Sequence, residues 1–84
     1  MEKPVHFSEH SKHRMLLRGA DENEVITAIR STKWEIAPKS RFRCSCQFNF
    51  EKTSPINQKF YKYKTVEVIF VDDIDKIVVI TVKV

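Results

Sequence analysis

The chain has 84 residues and a formal net charge of +4, with 42% hydrophobic and 31% charged residues. These values are typical of one small globular domain, over residues 1–84, and the single glycine and three prolines leave little room for a disordered linker. A domain of this size buries about 60–65% of its unfolded surface, so a homodimer would add stability. The longest apolar run is too short to span a bilayer, and no signal-peptide pattern is present, so we expect a cytoplasmic protein.

Two short helices are predicted over about residues 8–31, joined at the only glycine, Gly19. Ser8 is a favourable N-cap for the first helix, and glycine adopts without cost the left-handed conformation that closes many helices. Asp21 and Glu24 have the spacing of a capping box, which predicts the start of the second helix. This stretch is therefore expected to form a helical hairpin with one sharp corner.

The apolar side chains of these helices are expected to face a sheet, because both helices are too short to be stable alone. In the first helix they occupy the last turn, and in the second they recur at helical spacing. They are Met15, Leu16 and Leu17 in the first helix and Val25, Ile26 and Ile29 in the second. Before the helices, Val5 and Phe7 predict a short extended segment.

The sheet is predicted over about residues 34–84. Apolar and polar residues alternate over 41–50, which is the period-two pattern of a strand with one buried face. The remaining predicted segments are a short strand or helical-layer edge at 34–36, a loop at 52–58, a strand at 65–71 with an extended or irregular approach at 60–63, a turn at 72–75, and a last strand at 76–84.

The alternation also assigns the two faces of this sheet. The face expected to cover the helices is wholly apolar and consists of Phe42, Cys44, Cys46, Phe48, Val66, Val68, Phe70, Val78, Ile80 and Val82. The opposite face is half polar and is expected to carry Arg41, Arg43, Ser45, Gln47, Glu67, Ile69, Val79, Thr81 and Lys83. We therefore predict an α+β fold, with two N-terminal helices packed on one face of a three- to four-stranded antiparallel sheet.

Positive charge is concentrated in the middle of the chain. Between residues 39 and 64, Glu51 is the only acidic residue. The basic residues of this stretch are Lys39, Arg41, Arg43, Lys52, Lys59, Lys62 and Lys64. Local basicity of this kind suits a polyanionic partner, either nucleic acid or an acidic protein segment. The alternative is a solvated strand face whose lysines prevent aggregation.

A second basic pattern lies on the first predicted helix. His6, His10, Arg14 and Arg18 recur every four residues, so they follow one side of a helix. RNA cleavage needs a base for the 2′-hydroxyl, an acid for the leaving oxygen and cations for the charged transition state, and histidine with arginine can supply these groups. The alternative is that His10 and Arg18 brace the helical hairpin while Arg14 is merely exposed.

No metal or cofactor is expected. Cys44 and Cys46 point to one apolar face and have no second Cys/His pair at zinc spacing, so they are interpreted as small buried side chains with reduced thiols. His6 and His10 have a spacing that could bind a metal, but the basic residues around them would repel a cation. The acidic turn at 72–75 lacks the glycine and distal glutamate of a calcium loop.

One further pattern covers most of the chain: His10-x-x-x-Arg14-x-x-x-Arg18-Gly19-Ala20, then Asn23-Glu-Val25, and two closing strands with Thr81 near their end. This pattern resembles an uncharacterised family of small bacterial and phage proteins, which is similar to BrnT and the RelE/ParE-like toxin superfamily. The resemblance implies helices followed by a sheet. RelE-like toxins cut messenger RNA and are held inactive by an antitoxin, whereas other members poison gyrase or have no known activity.

The resemblance extends to His10, Arg14, Arg18, Gly19 and Thr81. The chain departs from the family where Ser11 replaces the usual alanine and where Lys83-Val84 replaces the closing tyrosine. RelE-type ribonucleases tend to act on the open sheet face, which here offers Arg41, Arg43, Glu67, Thr81 and Lys83.

The leading hypothesis is therefore a RelE/BrnT-like toxin that acts as a metal-independent endoribonuclease, with RNA and an acidic antitoxin as partners. Its catalytic residues would be His10, Arg14 and Arg18, and its nucleic-acid-binding residues would be Lys39, Arg41, Arg43, Thr81 and Lys83. The alternative is a non-catalytic module that binds an acidic protein or nucleic acid through the basic sheet face. A third reading is RNA or DNA binding without cleavage, with bases stacked on Tyr61 and Tyr63.

Overall fold

Two α-helices lie on one side of a five-stranded sheet in the computed structural model, which describes residues 3–53 and 58–84. In chain order, the elements are β1 (Val5–Phe7), α1 (Glu9–Arg18), α2 (Glu22–Ser31), β2 (Glu35–Ala37), β3 (Arg41–Thr53), β4 (Phe60–Asp72) and β5 (Ile77–Lys83). The strand order in the sheet is β1-β5-β4-β3-β2. The predicted α+β class with two N-terminal helices is confirmed. Neither described helix is long and apolar enough to cross a membrane.

The helical corner forms as its local sequence predicts. The Ser8 hydroxyl accepts a hydrogen bond from the backbone N–H of Ser11, and Gly19 closes α1 with φ of 72°. The Asp21 N–H donates to Glu24 Oε1 at 3.1 Å, and the Glu24 N–H donates to Asp21 Oδ1 at 2.8 Å. Both bonds of the capping box are present, so two of the orphan donors at the start of α2 are satisfied within the helix end itself.

The sheet is mixed rather than antiparallel, and this corrects the predicted sheet of three to four antiparallel strands. The extended segment at Val5–Phe7 is present as β1, but it pairs parallel to β5, with Val5 opposite Ile77 and Phe7 opposite Val79. The Ser8 N–H then donates to the Val79 carbonyl at 3.1 Å, which continues the pairing to the start of α1. A three-residue strand carries too little pattern to reveal a partner so distant in sequence.

The two central strands are longer than predicted. β3 continues through Thr53 and β4 begins at Phe60, so the predicted loop at 52–58 starts later, and its residues 54–57 lie outside the described part of the chain. The pairing of β3 with β4 shifts register between Asn49 and Lys52. β2 is the short strand that was one of the two alternatives for 34–36, and it pairs antiparallel with the start of β3.

The other prediction for residues 34–36 was that they close the edge of the helical layer, and Trp34 does so. Its indole N–H donates to the Ile29 carbonyl at the end of α2, at 2.8 Å. Its ring lies 4.8 Å from the ring of Phe70 in an edge-on arrangement and 5.6 Å from that of Phe42. Aromatic pairs in such geometry add to the hydrophobic stabilisation, so Trp34 joins the end of α2 to the sheet.

The core lies between the helices and the sheet. Its buried residues are Met15, Val25, Ala28, Ile29, Cys44, Val66, Val68, Phe70, Ile77, Val79 and Val82. The prediction that Val78 and Ile80 face the helices is wrong. Phe70 pairs with Val79 while Ile69 pairs with Thr81, so Ile80 is an extra residue in β5. Such a bulge reverses the alternation, and Val79 moves from its predicted open face into the core.

Both leucines, which were predicted to be buried, are exposed instead. Met15 is buried, but Leu16 and Leu17 are 82% and 50% exposed. α1 turns Ser11 and Met15, which are four residues apart, toward the sheet. Because each residue advances about 100° around a helix, the two residues after Met15 point away from the core.

Candidate nucleic-acid interface

The open face of the sheet, defined as the side away from the helices, collects most of the predicted binding residues. Arg43 of β3 is opposite Ile69 of β4, which is opposite Thr81 of β5. In the next cross-strand row, Glu67 is opposite Lys83. Side chains opposite one another share a face, so the strand register places Arg43, Thr81, Glu67 and Lys83 on one surface.

Arg41 and Ser45 also lie on this face of β3. Arg41 pairs with Ala37 of β2, and Ser45 pairs with Glu67 of β4. Glu67 therefore has Lys83 directly opposite on β5 and Arg43 diagonally opposite on β3. Directly opposite Cβ atoms lie about 4.5–5.5 Å apart and diagonal neighbours about 7–8 Å apart. The Glu67 carboxylate thus has one cation on each of its two neighbouring strands.

Most charges on the open face have no partner among the residues that the structure describes. Arg41, Glu67 and Lys83 make no side-chain hydrogen bond or ion pair with them. Arg43 approaches Glu35 at 3.3 Å, but the two side chains are 43% and 66% exposed, and exposed ion pairs contribute little to stability. An anionic ligand could therefore recruit Arg41, Arg43 and Lys83 without breaking a strong internal contact.

Lys39 lies at the end of this face rather than on it. It belongs to the three-residue connection between β2 and β3 and is exposed, with φ of 64°. The next residue, Ser40, has φ of 60°. Two successive non-glycine residues in the left-handed region turn the chain tightly, which places Lys39 beside the start of β3 and Arg41.

The centre of the open face is apolar, and an aromatic ring lies near its far end. Ile69, Val71 and Val78 are half-buried, and Val71 lies opposite Val78. Tyr63 pairs with Asn49 on the same face and is about half exposed. It is four residues from Glu67, about 13 Å along the strand. The side chain of Tyr61, the other predicted stacking residue, lies outside the described residues.

The three predicted catalytic residues lie on the opposite layer. α1 packs on the covered side of the sheet, where Met15 joins the core. His10 is exposed, Arg14 and Arg18 are half-buried, and their side chains form no hydrogen bond or ion pair with the described residues. The structure therefore separates the two sets, with His10, Arg14 and Arg18 on the helical layer and Arg41, Arg43, Thr81 and Lys83 on the open face.

One lysine of the basic stretch has a structural position that the sequence interpretation missed. The Lys64 ammonium donates to the Gly19 carbonyl at 2.6 Å and lies 2.7 Å from Glu24 Oε1. Its side chain is only 9% exposed. The sequence pattern contained this information. Residues two and four apart on a strand face the same side, so Lys64 points toward the helices like the buried residues Val66 and Val68.

The cysteine thiols offer no nucleophile to this surface. Cys44 is buried on the helix side, and burial raises the pKa of its thiol above the usual 9.0, although a hydrogen bond with Thr32 opposes that rise. The neighbouring Cys46 raises the pKa further. A thiol in this environment stays protonated near neutral pH and behaves as a small core residue. Among the described residues, no group of three or more His, Cys, Asp or Glu side chains could hold a metal ion.

Comparisons with protein-family models, with curated proteins and with solved structures returned no match. The similarity to RelE- and BrnT-like proteins consequently remains a resemblance carried by the residues quoted above.

Proposed function

We propose that the chain is a RelE/BrnT-like toxin that binds RNA on the open face of its sheet and cleaves it without a metal ion. The observation that carries the proposal is that Arg43 and Lys83 flank Glu67 on one solvent-facing surface, with Arg41 two residues before Arg43 on the same face. The resemblance of the chain to RelE-like proteins supports the same choice of face.

In this proposal the cations bind the RNA backbone. Arg41, Arg43 and Lys83 each contact a phosphate, and the apolar centre and Tyr63 receive the sugar and base surfaces between them. Each phosphate contact releases a counterion, and for single strands the slope of log K against log salt is about −0.7 per contact. Three contacts therefore predict a slope of roughly −2.

Glu67 is the proposed base of the cleavage step. It removes the proton of the 2′-hydroxyl, whose oxygen attacks the adjacent phosphorus while the bond to the 5′-oxygen breaks. The products are a 2′,3′-cyclic phosphate and a 5′-hydroxyl, which takes its proton from water. Arg43 and Lys83 stabilise the negative charge that builds on the phosphoryl oxygens in the transition state.

The sequence-based assignment of His10, Arg14 and Arg18 as catalytic residues is the competing version of this proposal. Those residues would have to act from the helical layer, away from the cations of the open face. One set of variants separates the two versions, because His10 and Glu67 lie on different layers and each can be changed without touching the other.

The test measures cleavage and binding of a labelled single-stranded RNA by purified protein in the presence of EDTA, together with growth after expression. We expect cleavage by the wild type, loss of cleavage with retained binding for Glu67→Gln, and weaker binding for Arg43→Ala. His10→Ala should remain active. The matched controls, Glu22→Gln and His13→Ala, change exposed residues on the helices and should behave as the wild type.

Three results would contradict parts of this proposal. Failure of the wild type to bind RNA would refute it entirely. Loss of cleavage in His10→Ala with full activity in Glu67→Gln would move the chemistry to the helical layer. Binding with a steep salt dependence but no cleavage would leave a nucleic-acid-binding module that is not an enzyme.

A second candidate function is a module that binds an acidic protein through the same face. The half-buried apolar strip of Ile69, Val71 and Val78 between the cations favours it, because an amphipathic protein segment buries both apolar and charged groups. Co-purification with an acidic protein encoded by an adjacent gene, without toxicity on expression alone, would support this function. The strip variant Ile69→Ser should then weaken protein binding more than RNA binding.

A further inference from the structure

The long strand β3 has one edge that is only partly paired. β2 covers β3 from Arg41 to Arg43, where Glu35 is the last partner. Beyond Arg43, none of the strands in the described part of the chain pairs with β3 on that side. The pairing of β3 with β4 on its other side stays regular up to Asn49. Residues 44–49 therefore form a straight strand edge, bounded by β2 at one end and a register shift at the other.

This edge lacks the features that usually prevent strands from associating. The segment 44–50 contains no charged residue and no proline, in a chain of which 31% of residues are charged. Exposed edges are normally blocked by lysines, prolines or bulges, since their free N–H and C=O groups accept another strand. The nearest charged residues are Arg43, already beside β2, and Glu51, in the bulge with φ of 50°.

We propose that this edge pairs with the same edge of a second copy of the chain, antiparallel about a twofold axis at Gln47. Gln47 then lies opposite Gln47 of the second copy, Ser45 opposite Asn49, and Cys46 opposite Phe48. The open face of the junction carries uncharged polar groups that can hydrogen-bond to one another. The helix side joins Cys46 and Phe48, which are both half-buried hydrophobic residues packed against the core.

The boundaries of the edge select this register. In an antiparallel pair, opposite residues share a face. The twofold axis therefore lies between the two copies of one residue, and any alternative register moves the axis to a neighbouring residue. An axis at Cys46 would bring Asn49 of the second copy beside Arg43, where Glu35 already lies. An axis at Phe48 would place Ser45 opposite Glu51, within the irregular part of the strand. An axis at Gln47 pairs residues 45–49 of both copies within the straight segment, and the residue it brings toward Arg43 is Glu51, in the irregular part of the strand, rather than a regularly paired one.

Pairing of this kind joins the two sheets, so their open faces form one continuous surface. The inference rests on the free edge and goes beyond the proposed RNA binding, because dimerisation does not require RNA. The contact involves few residues in each copy. Interfaces that bury less than about 1,200 Å² are typically weak or transient, so we expect a concentration-dependent equilibrium between monomer and dimer.

The first test is sedimentation velocity over a wide range of protein concentration without RNA. The wild type should shift from monomer to dimer, and Gln47→Lys should raise the midpoint at least tenfold, because two lysines then meet at the axis. The matched control is Thr65→Lys, which adds the same charge on the same face opposite Gln47 but on β4. A monomeric wild type at all concentrations, or equal effects of both variants, would overturn the proposal.

The second test reports the register through disulfide formation with oxidised glutathione, which accepts the two electrons. In a Cys46→Ala background, Gln47→Cys should form a covalent dimer, since Cα atoms of opposite residues lie within disulfide range. Ser45→Cys alone should not, whereas a mixture of Ser45→Cys and Asn49→Cys chains should. Equal crosslinking of Ser45→Cys and Gln47→Cys, or crosslinking of the wild type through Cys46, would refute the axis at Gln47.

Discussion

Replacement of Lys64 by methionine tests whether the basic stretch contains a structural cation. The Lys64 ammonium contacts the Gly19 carbonyl at 2.6 Å, at the C-terminal end of α1, and Glu24 Oε1 at 2.7 Å. Glu24 is also the capping-box residue of α2. A single side chain from β4 therefore connects both helix ends at the corner to the sheet. Methionine keeps much of the apolar stem and removes these polar contacts.

The expected cost follows from the burial of the two groups. The Lys64 and Glu24 side chains are 9% and 17% exposed, so neither charge is well solvated. A hydrogen bond that involves a charged group contributes about 1.5–3 kcal/mol, and breaking a fully buried pair costs about 3–5 kcal/mol. Because Glu24 keeps some solvent contact and its bond from Asp21, we expect a loss of about 2 kcal/mol, at the lower end of these ranges.

The assay is urea denaturation of the free protein, followed by Trp34 fluorescence and by circular dichroism. Lys83→Met is the matched control, since it removes an exposed lysine of the open face and should change the free energy of unfolding by less than about 0.5 kcal/mol. A Lys64→Met and Glu24→Gln double-mutant cycle isolates the coupling between the two groups. Equal stability of Lys64→Met and the wild type, with weaker RNA binding, would show that Lys64 is a surface cation.

Further predictions concern local backbone strain, a buried thiol and the exposed side of α1. Ser40 and Gly19 both have positive φ, a conformation that glycine adopts more easily than other residues. Ser40→Gly should therefore raise the free energy of unfolding by about 1 kcal/mol, and Gly19→Ala should lower it by about 1 kcal/mol. Midpoints of urea denaturation test both. Since burial raises the pKa of the Cys44 thiol, the unfolded chain loses that proton first, and stability should fall as pH rises above about 9. The same pH series on Cys44→Ala should lack this additional slope. Leu16→Ser should be close to neutral, whereas Met15→Ala should cost about 2–5 kcal/mol in the same denaturation assay, and equal costs would refute the assigned face of α1.

The open face could largely be predicted from alternation, because strand parity alone puts Arg41 and Arg43 on the side away from Cys44. Thr81 and Lys83 were placed correctly on that side, yet Val79 of the same strand was not. The difference is the extra residue Ile80, which reverses the phase in the first half of β5. Nothing in an apolar run of β-branched residues marks the position of a bulge, since it depends on how β4 and β5 pair.

The sequence by itself determined the helical corner, since the capping bonds that close α1 and open α2, at Ser8, at the Gly19 turn and in the Asp21–Glu24 box, join residues at most five positions apart. Only the tertiary structure decided how the distant segments meet. It brings the Lys64 ammonium to the Gly19 carbonyl and to Glu24, inserts Ile80 as an extra residue in β5, and places β1 parallel beside β5. These outcomes depend on register between distant strands, and register is set by packing of the whole sheet against the helices rather than by local sequence.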